Sequence, residues 1–339
     1  AINDESYPYI AFLYGQKIVS GDGSGLFRPD DNITLDEMSK ILLGVTGCLP
    51  VAQSAPGTYS AFAARQNLFG NVELADGINE SQLVEILYNT LLSDAYSSDE
   101  YFDDGTFKLK SDKTVMEEYF GIAQYSGIYD ANYKTSLVGK GTGKSGIVTI
   151  DGIKYKTEID IPEDLFGKAV VYYAKENSNS LSEIICIYEE SGNSEIVLAD
   201  DEIESAEDYK IEYSSDGGKT RKVTVDAGAD LIYNNISYKK WKMSDVLISN
   251  GTVTLIDNNN DNKIDVIKVM SYEDYVALSY SDAGKSIALR FNDGNINIDD
   301  KDCEYSLYLN GGKAEWDVIS DWDVLSVAKS HIIDGMYYC

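Results

Sequence analysis

Residues 9–47, YIAFLYGQKIVSGDGSGLFRPDDNITLDEMSKILLGVTG, read as a helix, a glycine-rich loop and a second helix. The first helix, about Tyr7 to Ile18, sets Tyr7, Ile10, Ala11, Tyr14 and Ile18 at three- and four-residue spacing, which predicts one apolar stripe. Gly21, Gly23 and Gly25 then interrupt it, because clustered glycines favour turns with positive φ. Thr34 restarts a helix as N-cap, and Glu37 three residues on completes a capping box. Leu35, Met38, Ile41, Leu42 and Val45 form its expected buried face, and Gly47 stops it.

A more divergent copy follows. Tyr59 to Asn67 predicts a short helix and Leu68 to Gly77 stands in the place of the loop. Ile78-Asn79-Glu80-Ser81-Gln82 then opens a helix carrying Leu83, Ile86, Leu87 and Leu91, with Asn79 and Gln82 as capping pair.

The aromatic-rich first helix, the loop Ser20 to Pro29 and the helix start Ile33-Thr34-Leu35-Asp36-Glu37 together resemble a surface-layer homology (SLH) repeat. That family has a G-x-P-D-G-x-F-x-P-type loop and an I-T-R-A-E-type helix start. The resemblance covers residues 1–92 in two repeats. It implies an all-α module that holds a secreted protein to the bacterial cell wall by binding a wall polysaccharide, often a pyruvylated one. The expected location is therefore extracellular, on the cell surface or wall. Within the matching motif, Asp22, Arg28, Thr34 and Glu37 are the polysaccharide-binding candidates. Leu35 in one copy and Glu80 in the other stand where the family motif has the arginine that is part of that site.

Charge narrows the partners. With 57 acidic against 28 basic residues the formal charge is -29, which excludes nucleic acid and anionic membrane surfaces as expected partners. Within residues 1–92 only Lys17, Arg28, Lys40 and Arg65 are basic, so an anionic polymer meets few cations there. No run of ~18 apolar residues predicts a membrane span. Cys48, Cys186, Cys303 and Cys339 lie far apart without a C-x-x-C pair, so their spacing reads as buried or incidental thiols.

Beyond the module the texture changes. Residues 93–113 are polar and acidic and read as a linker, and Thr114 to Phe120 as one or two helical turns. After Tyr125, short alternating runs such as GIVTIDGIKYKTEID, GKAVVYYAK, RKVTVD and SIALRFND are separated by glycine, asparagine and aspartate. These predict antiparallel β structure. Ala169 to Tyr188, Thr252 to Met270 and Val324 to Cys339 each read strand, polar loop, strand, like copies of one hairpin. The expected fold is α+β and multidomain: a small all-α module over 1–92, a linker over 93–113, then tandem barrel- or sandwich-like β domains. These β domains span 114–199, 200–280 and 281–339. The stretch from Val115 also resembles the uncharacterised β-rich region that follows SLH repeats in surface proteins of clostridial-type bacteria.

The sharpest chemical signal is the middle hairpin loop. Asp257, Asn259, Asp261, the carbonyl of Lys263 and Asp265 occupy positions 1, 3, 5, 7 and 9 of a calcium loop, where alternate residues aim hard oxygens at one centre. Asn262 replaces the glycine at position 6 and Lys268 the bidentate glutamate at position 12, which predicts weak Ca²⁺ affinity, ~10⁻⁴ to 10⁻³ M. The competing reading is a solvated hairpin turn. VGKGTGKS, residues 138–145, resembles a phosphate loop, but it leads into GIVTIDGIKY, a strand, and reads as a turn. His331 is the only histidine and no G-x-S-x-G occurs, so nucleophilic catalysis lacks its parts. Trp241, Trp316 and Trp322 read as core.

The expectation is a non-catalytic cell-surface protein whose β domains act as outward spacer or binding module. One alternative is an adhesin binding carbohydrate or host protein through tyrosine-rich hairpin ends. Another is an accessory part of an extracellular glycan-active enzyme.

Overall fold

A computed structural model describes residues 6–15, 19–21, 26–27, 31–54, 56–74, 78–101, 107–215, 218–299, 303–330 and 337–338. The chain divides into two compact units, Ala1–Ala123 and Gln124–Cys339. The layout is α+β, with helices gathered at the N-terminus and β structure after them.

The first unit holds α1 (Tyr7–Gly15), α2 (Leu35–Thr46), α3 (Leu49–Ser54), α4 (Tyr59–Arg65), α5 (Glu80–Leu92) and α6 (Val115–Phe120). Its core joins Met38, Leu42 and Leu43 of α2 to Ala63, Leu68, Phe69 and Ile86. Leu43, Leu68 and Ile86 are fully buried, each contributing about 1.5–3 kcal/mol through the area taken from water. The inward face of α2 is turned slightly from the expected one: Leu35, Ile41 and Val45 are half-buried, while Ser39 and Thr46 go in. On α5 only Ile86 and Thr90 are buried, whereas Leu83 and Leu87 are exposed, because a single row of that helix meets the core.

The α1 stripe is not buried. Tyr7, Tyr9, Phe12 and Tyr14 are all exposed and no residue of α1 is buried. Its sequence YPYIAFLYG is apolar on every side, so periodicity cannot select an inward face.

In the stretch 93–113, expected as linker, β1 (Asp94–Tyr101) pairs antiparallel with β2 (Phe107–Thr114). The acidic composition masked the alternation that survives in Phe107-Lys108-Leu109-Lys110. Gly47 lets β1 approach: a Cβ there would lie 2.2 Å from the Tyr96 carbonyl oxygen, and its φ of 86° also closes α2.

The second unit opens with a closed barrel in the order β3-β4-β5-β7-β6. Its strands are β3 (Ile122–Ala131), β4 (Ile147–Ile150), β5 (Ile153–Thr157), β6 (Ala169–Lys175) and β7 (Glu183–Glu189). Residues 138–146 are a loop before β4, as the turn reading expects.

The next strands are β8 (Ser194–Ala199), β9 (Ile203–Glu207), β10 (Lys210–Ser215), β11 (Lys219–Tyr233), β12 (Ile236–Ser237), β13 (Gly251–Asp257) and β14 (Lys263–Ser271). They form one sheet, β8-β13-β14-β11-β10-β9, with β12 beside β11. Here β14 runs parallel to β11 and antiparallel to β13. The sheet has a core of its own around Ile211, Leu231, Val253 and Leu255, and it also reaches into the barrel. Ile232, Ile256 and Val266 of the sheet pack into the barrel core with Tyr129, Phe166 and Val170.

The last part contains β15 (Glu273–Ser281), β16 (Ser286–Leu289), β17 (Asn295–Asn297), β18 (Cys303–Glu304), β19 (Tyr308–Leu309), β20 (Gly312–Lys313), β21 (Val324–Val327) and β22 (Tyr337–Tyr338). Four of these make a sheet in the order β17-β16-β15-β21 around Ala277, Ile287, Ile296 and Ile319. Of the three hairpin copies expected, β6–β7 and β13–β14 form. Among the described residues the third does not show that pairing: β21 pairs with β15, and β22 runs parallel to β18. A strand–loop–strand pattern states that strands exist but not which edges they meet.

Candidate functional site

The SLH-like helix start folds as its residues dictate. Thr34 is the N-cap of α2: the Glu37 N–H donates to Thr34 Oγ1 (3.2 Å), and the Thr34 N–H donates to Glu37 Oε2 (2.9 Å). The Thr34 hydroxyl also donates to Glu37 Oε2 (2.7 Å). Both side chains are exposed and their polar atoms serve the cap. Asp22 and Arg28 lie outside the described residues. In the second copy, Asn79 and Gln82 form the same reciprocal box on α5. At the motif's arginine positions, Leu35 packs against the module core and Glu80 is exposed.

Asp36, between these, does something the sequence did not announce. Its Oδ1 accepts from the Ser60 N–H and hydroxyl at the start of α4, tying one repeat to the next. The helix ends enclose a cavity of about 340 Å³ lined by Gln66, Asn67, Asn89, Asp94 and Tyr96, with Cys48 below. None of its lining side chains is cationic, and amides and hydroxyls of this kind suit neutral hydroxylated ligands. Cys48 is buried and free, and burial pushes its thiol up to about 11, which leaves it unreactive. Cys186 is free and exposed.

In the second unit the Asp257 loop joins β13 to β14. Asp257 is buried, and its Oδ1 accepts from the N–H of Asn259 (3.3 Å) and Asn260 (2.7 Å), its Oδ2 from that of Asn262 (2.9 Å). Asn260 and Asn262 take φ of 61° and 65°, the left-handed conformation asparagine tolerates. Asn259 Oδ1 accepts from the Asp261 N–H, while its Nδ2 donates to Asp265 Oδ1 (2.9 Å). Asp261 accepts from the Lys263 N–H and pairs with the Lys263 ammonium (3.2 Å). Asn258 Nδ2 donates to the Gly167 carbonyl, docking the loop on the barrel.

The five expected oxygen donors thus run from the end of β13 through the loop into the start of β14, and the side-chain oxygens are largely taken up by N–H groups of the same segment. Hard carboxylate and carbonyl oxygens fit calcium in kind. Burial, then the charges of Asp257, Asp261 and Asp226, push the Asp265 carboxyl above the usual range. Among the described residues, no group of three or more His, Cys, Asp or Glu stands close enough to hold a metal by itself.

Of the three tryptophans, Trp241 and Trp316 pack against cores as expected. Trp322 does not: it is 60% exposed. The signal was the turn-forming Ser320-Asp321-Trp322-Asp323, which puts the ring outside a strand. His331 lies outside the described residues.

Residues 2–39 match the family model of the S-layer homology domain, which covers the first repeat through the capped start of α2. The chain thus carries an SLH domain, a bacterial cell-surface and cell-wall anchoring module that binds wall polysaccharide, and its location is the extracellular surface. Curated proteins give no match to the chain. Among the described residues no helix is long and apolar enough to cross a membrane.

Proposed function

We propose that this chain is a non-catalytic surface protein. Its helical module attaches to a wall polysaccharide, and its β part faces outward as a spacer or binding module. The observation that carries this reading is the SLH match at residues 2–39 on a helix start whose cap is fully formed. With Leu35 and Glu80 at the arginine positions, the polymer is engaged through hydrogen bonds to hydroxyls rather than through charge. The amide-lined cavity beside Asn89 supports this.

The test is co-sedimentation of the full chain with cell-wall sacculi, with and without their attached polysaccharide. The expected result is pelleting that requires the polysaccharide and survives moderate salt. Equal recovery in the supernatant under both conditions rejects the reading.

A second reading concerns the Asp257 loop, and the alternate spacing of its oxygen donors between β13 and β14 favours it. In this reading the loop takes calcium weakly, through Asp257, Asn259, Asp261, the Lys263 carbonyl and Asp265, and the ion stiffens the hairpin without taking part in chemistry.

A further inference from the structure

Residue 322 sits where a bulky side chain is hard to accommodate. The Asp323 N–H donates to the Ser320 carbonyl (3.2 Å), closing a four-residue turn. Its third residue, Trp322, has φ of 72°, whereas Asp321 is not among the positive-φ residues, which is type II geometry. Glycine usually fills that position, because a Cβ in the left-handed region crowds the backbone.

The turn is clamped. The Trp322 N–H donates to the Ala277 carbonyl (3.0 Å) and the Ala277 N–H to the Asp323 carbonyl (2.8 Å). The Ser320 N–H donates to Asp323 Oδ2 (2.7 Å).

Core packing does not explain the tryptophan, since the ring is largely exposed. The Arg290 guanidinium lies 3.9 Å from its centroid and is ion-paired with Asp321. Phe291, 70% exposed, stands 5.9 Å away with its ring inclined at 60°. The Arg290 Nε–H is buried without a hydrogen-bond partner. Two local costs, left-handed backbone under a bulky residue and an unsatisfied buried donor, thus fall on one contact. Costs of this kind persist where the surrounding structure holds them for something other than stability.

We propose that Trp322, with Phe291, Arg290 and Asp321, is a stacking platform for a neutral saccharide. A pyranose offers an apolar C–H face to an aromatic ring and hydroxyls at its rim. Those hydroxyls accept from a guanidinium and donate to a carboxylate, the pair that Arg290 and Asp321 present. Anionic ligands are disfavoured by Asp317, Asp321 and Asp323 in the same segment. The platform is a surface feature: Trp322, Phe291, Arg290 and Asp321 do not line the cavity of about 820 Å³ that Ser320 and Asp323 of the turn share with Tyr305, Tyr308 and Trp316. The inference rests on the surface reading above only for the source of the ligand.

The experiment titrates the full chain with chitohexaose and with maltohexaose, by calorimetry and by tryptophan fluorescence, in wild type, Trp322→Gly and Arg290→Gln. The expected result is saturable binding of at least one hexaose, weakened about tenfold or more in Trp322→Gly. The Tm of that variant should equal or exceed the wild-type value, because glycine relieves the backbone. If Trp322→Gly does not fold, Trp322→Asn, which also tolerates the left-handed region, replaces it.

Absence of saturable binding to either hexaose overturns the proposal, even if the chain pellets with sacculi. Binding that survives the substitutions also overturns it. Lowered Tm in both Trp322 variants assigns the ring to the fold and overturns it too. A chain that binds a hexaose through Trp322 but ignores sacculi keeps this inference and rejects wall attachment.

Discussion

Asp36 and Ser60, 24 positions apart, are joined twice: one carboxylate oxygen of Asp36 accepts from the Ser60 backbone N–H at 2.8 Å and from its hydroxyl at 3.1 Å. Ser60 lies in the first turn of α4, where the side chain of the N-cap Thr58 takes the Ala61 N–H and its carbonyl the Phe62 N–H, so Asp36 satisfies the Ser60 helix-end donor from outside the helix. The carboxylate also faces the positive end of α4. Asp36→Ala therefore leaves a part-buried N–H unsatisfied and should lower stability of the helical module by about 1–2 kcal/mol. Ser60→Ala keeps the backbone bond and should cost less. Chemical denaturation followed by helical circular dichroism checks the order, and equal losses in the two variants would contradict it.

What could be read from residues alone follows the reach of the interaction. The Thr34–Glu37 and Asn79–Gln82 boxes close within three residues, so the pattern of residue types was enough to place them. The alternation of β13 and the short apolar runs of β6 and β14 likewise state strands directly. Asp36–Ser60 was illegible because nothing local marks a carboxylate for a distant helix end. The barrel includes a parallel pairing of Lys156 with Glu183, and Ile232, Ile256 and Val266 reach into its core while paired in their own sheet. Neither fact has a periodicity. At the candidate sites, the oxygens of Asp257 to Asp265 were legible as a set. That Asp257 holds three N–H groups depends on loop geometry, and the exposure of Trp322 depends on a turn clamped by Ala277.

Calcium should stabilise the β part modestly. With a Kd of ~1 mM, 10 mM Ca²⁺ contributes about 1.4 kcal/mol, and Mg²⁺ much less, since it asks for a smaller octahedral site. Acid should cancel the effect, as the sign for Asp265 shows. Burial and neighbouring carboxylates raise its folded pKa above the ordinary 3.8, so the folded state holds a proton the unfolded state has lost. This group thus favours folding as pH falls into the window between those two values and opposes it above. Protonated Asp265 no longer donates an anionic oxygen to the ion. Scanning calorimetry at neutral pH and inside that window should show a calcium-dependent Tm shift only at neutral pH, and Asp257→Asn should abolish it. A Tm indifferent to calcium at neutral pH refutes the loop as a cation site.

Lys268 gives the opposite dependence. Its ammonium lies 5.4 Å from the centroid of the Phe166 ring, and burial pushes it down from 10.5 to about 8. Glu195 opposes the shift, Lys168 adds to it, and Asp164 and Glu163 oppose it further. The folded pKa lies below the unfolded one, so between about 8 and 10.5 the unfolded chain binds the extra proton and stability from this group rises with pH. At neutral pH both states are charged and the folded one bears the desolvation penalty. Lys268→Met keeps the apolar stem beside Phe166 and removes the charge. It should raise Tm at pH 7, by about 2–4 °C for each kcal/mol relieved, and flatten the rise between pH 8 and 10.5. Direct titration of the lysine by NMR should find its midpoint near 8. A midpoint at the ordinary lysine value, with Tm lowered by the methionine, would instead make Lys268 a solvated partner of Glu195 and reverse the assignment.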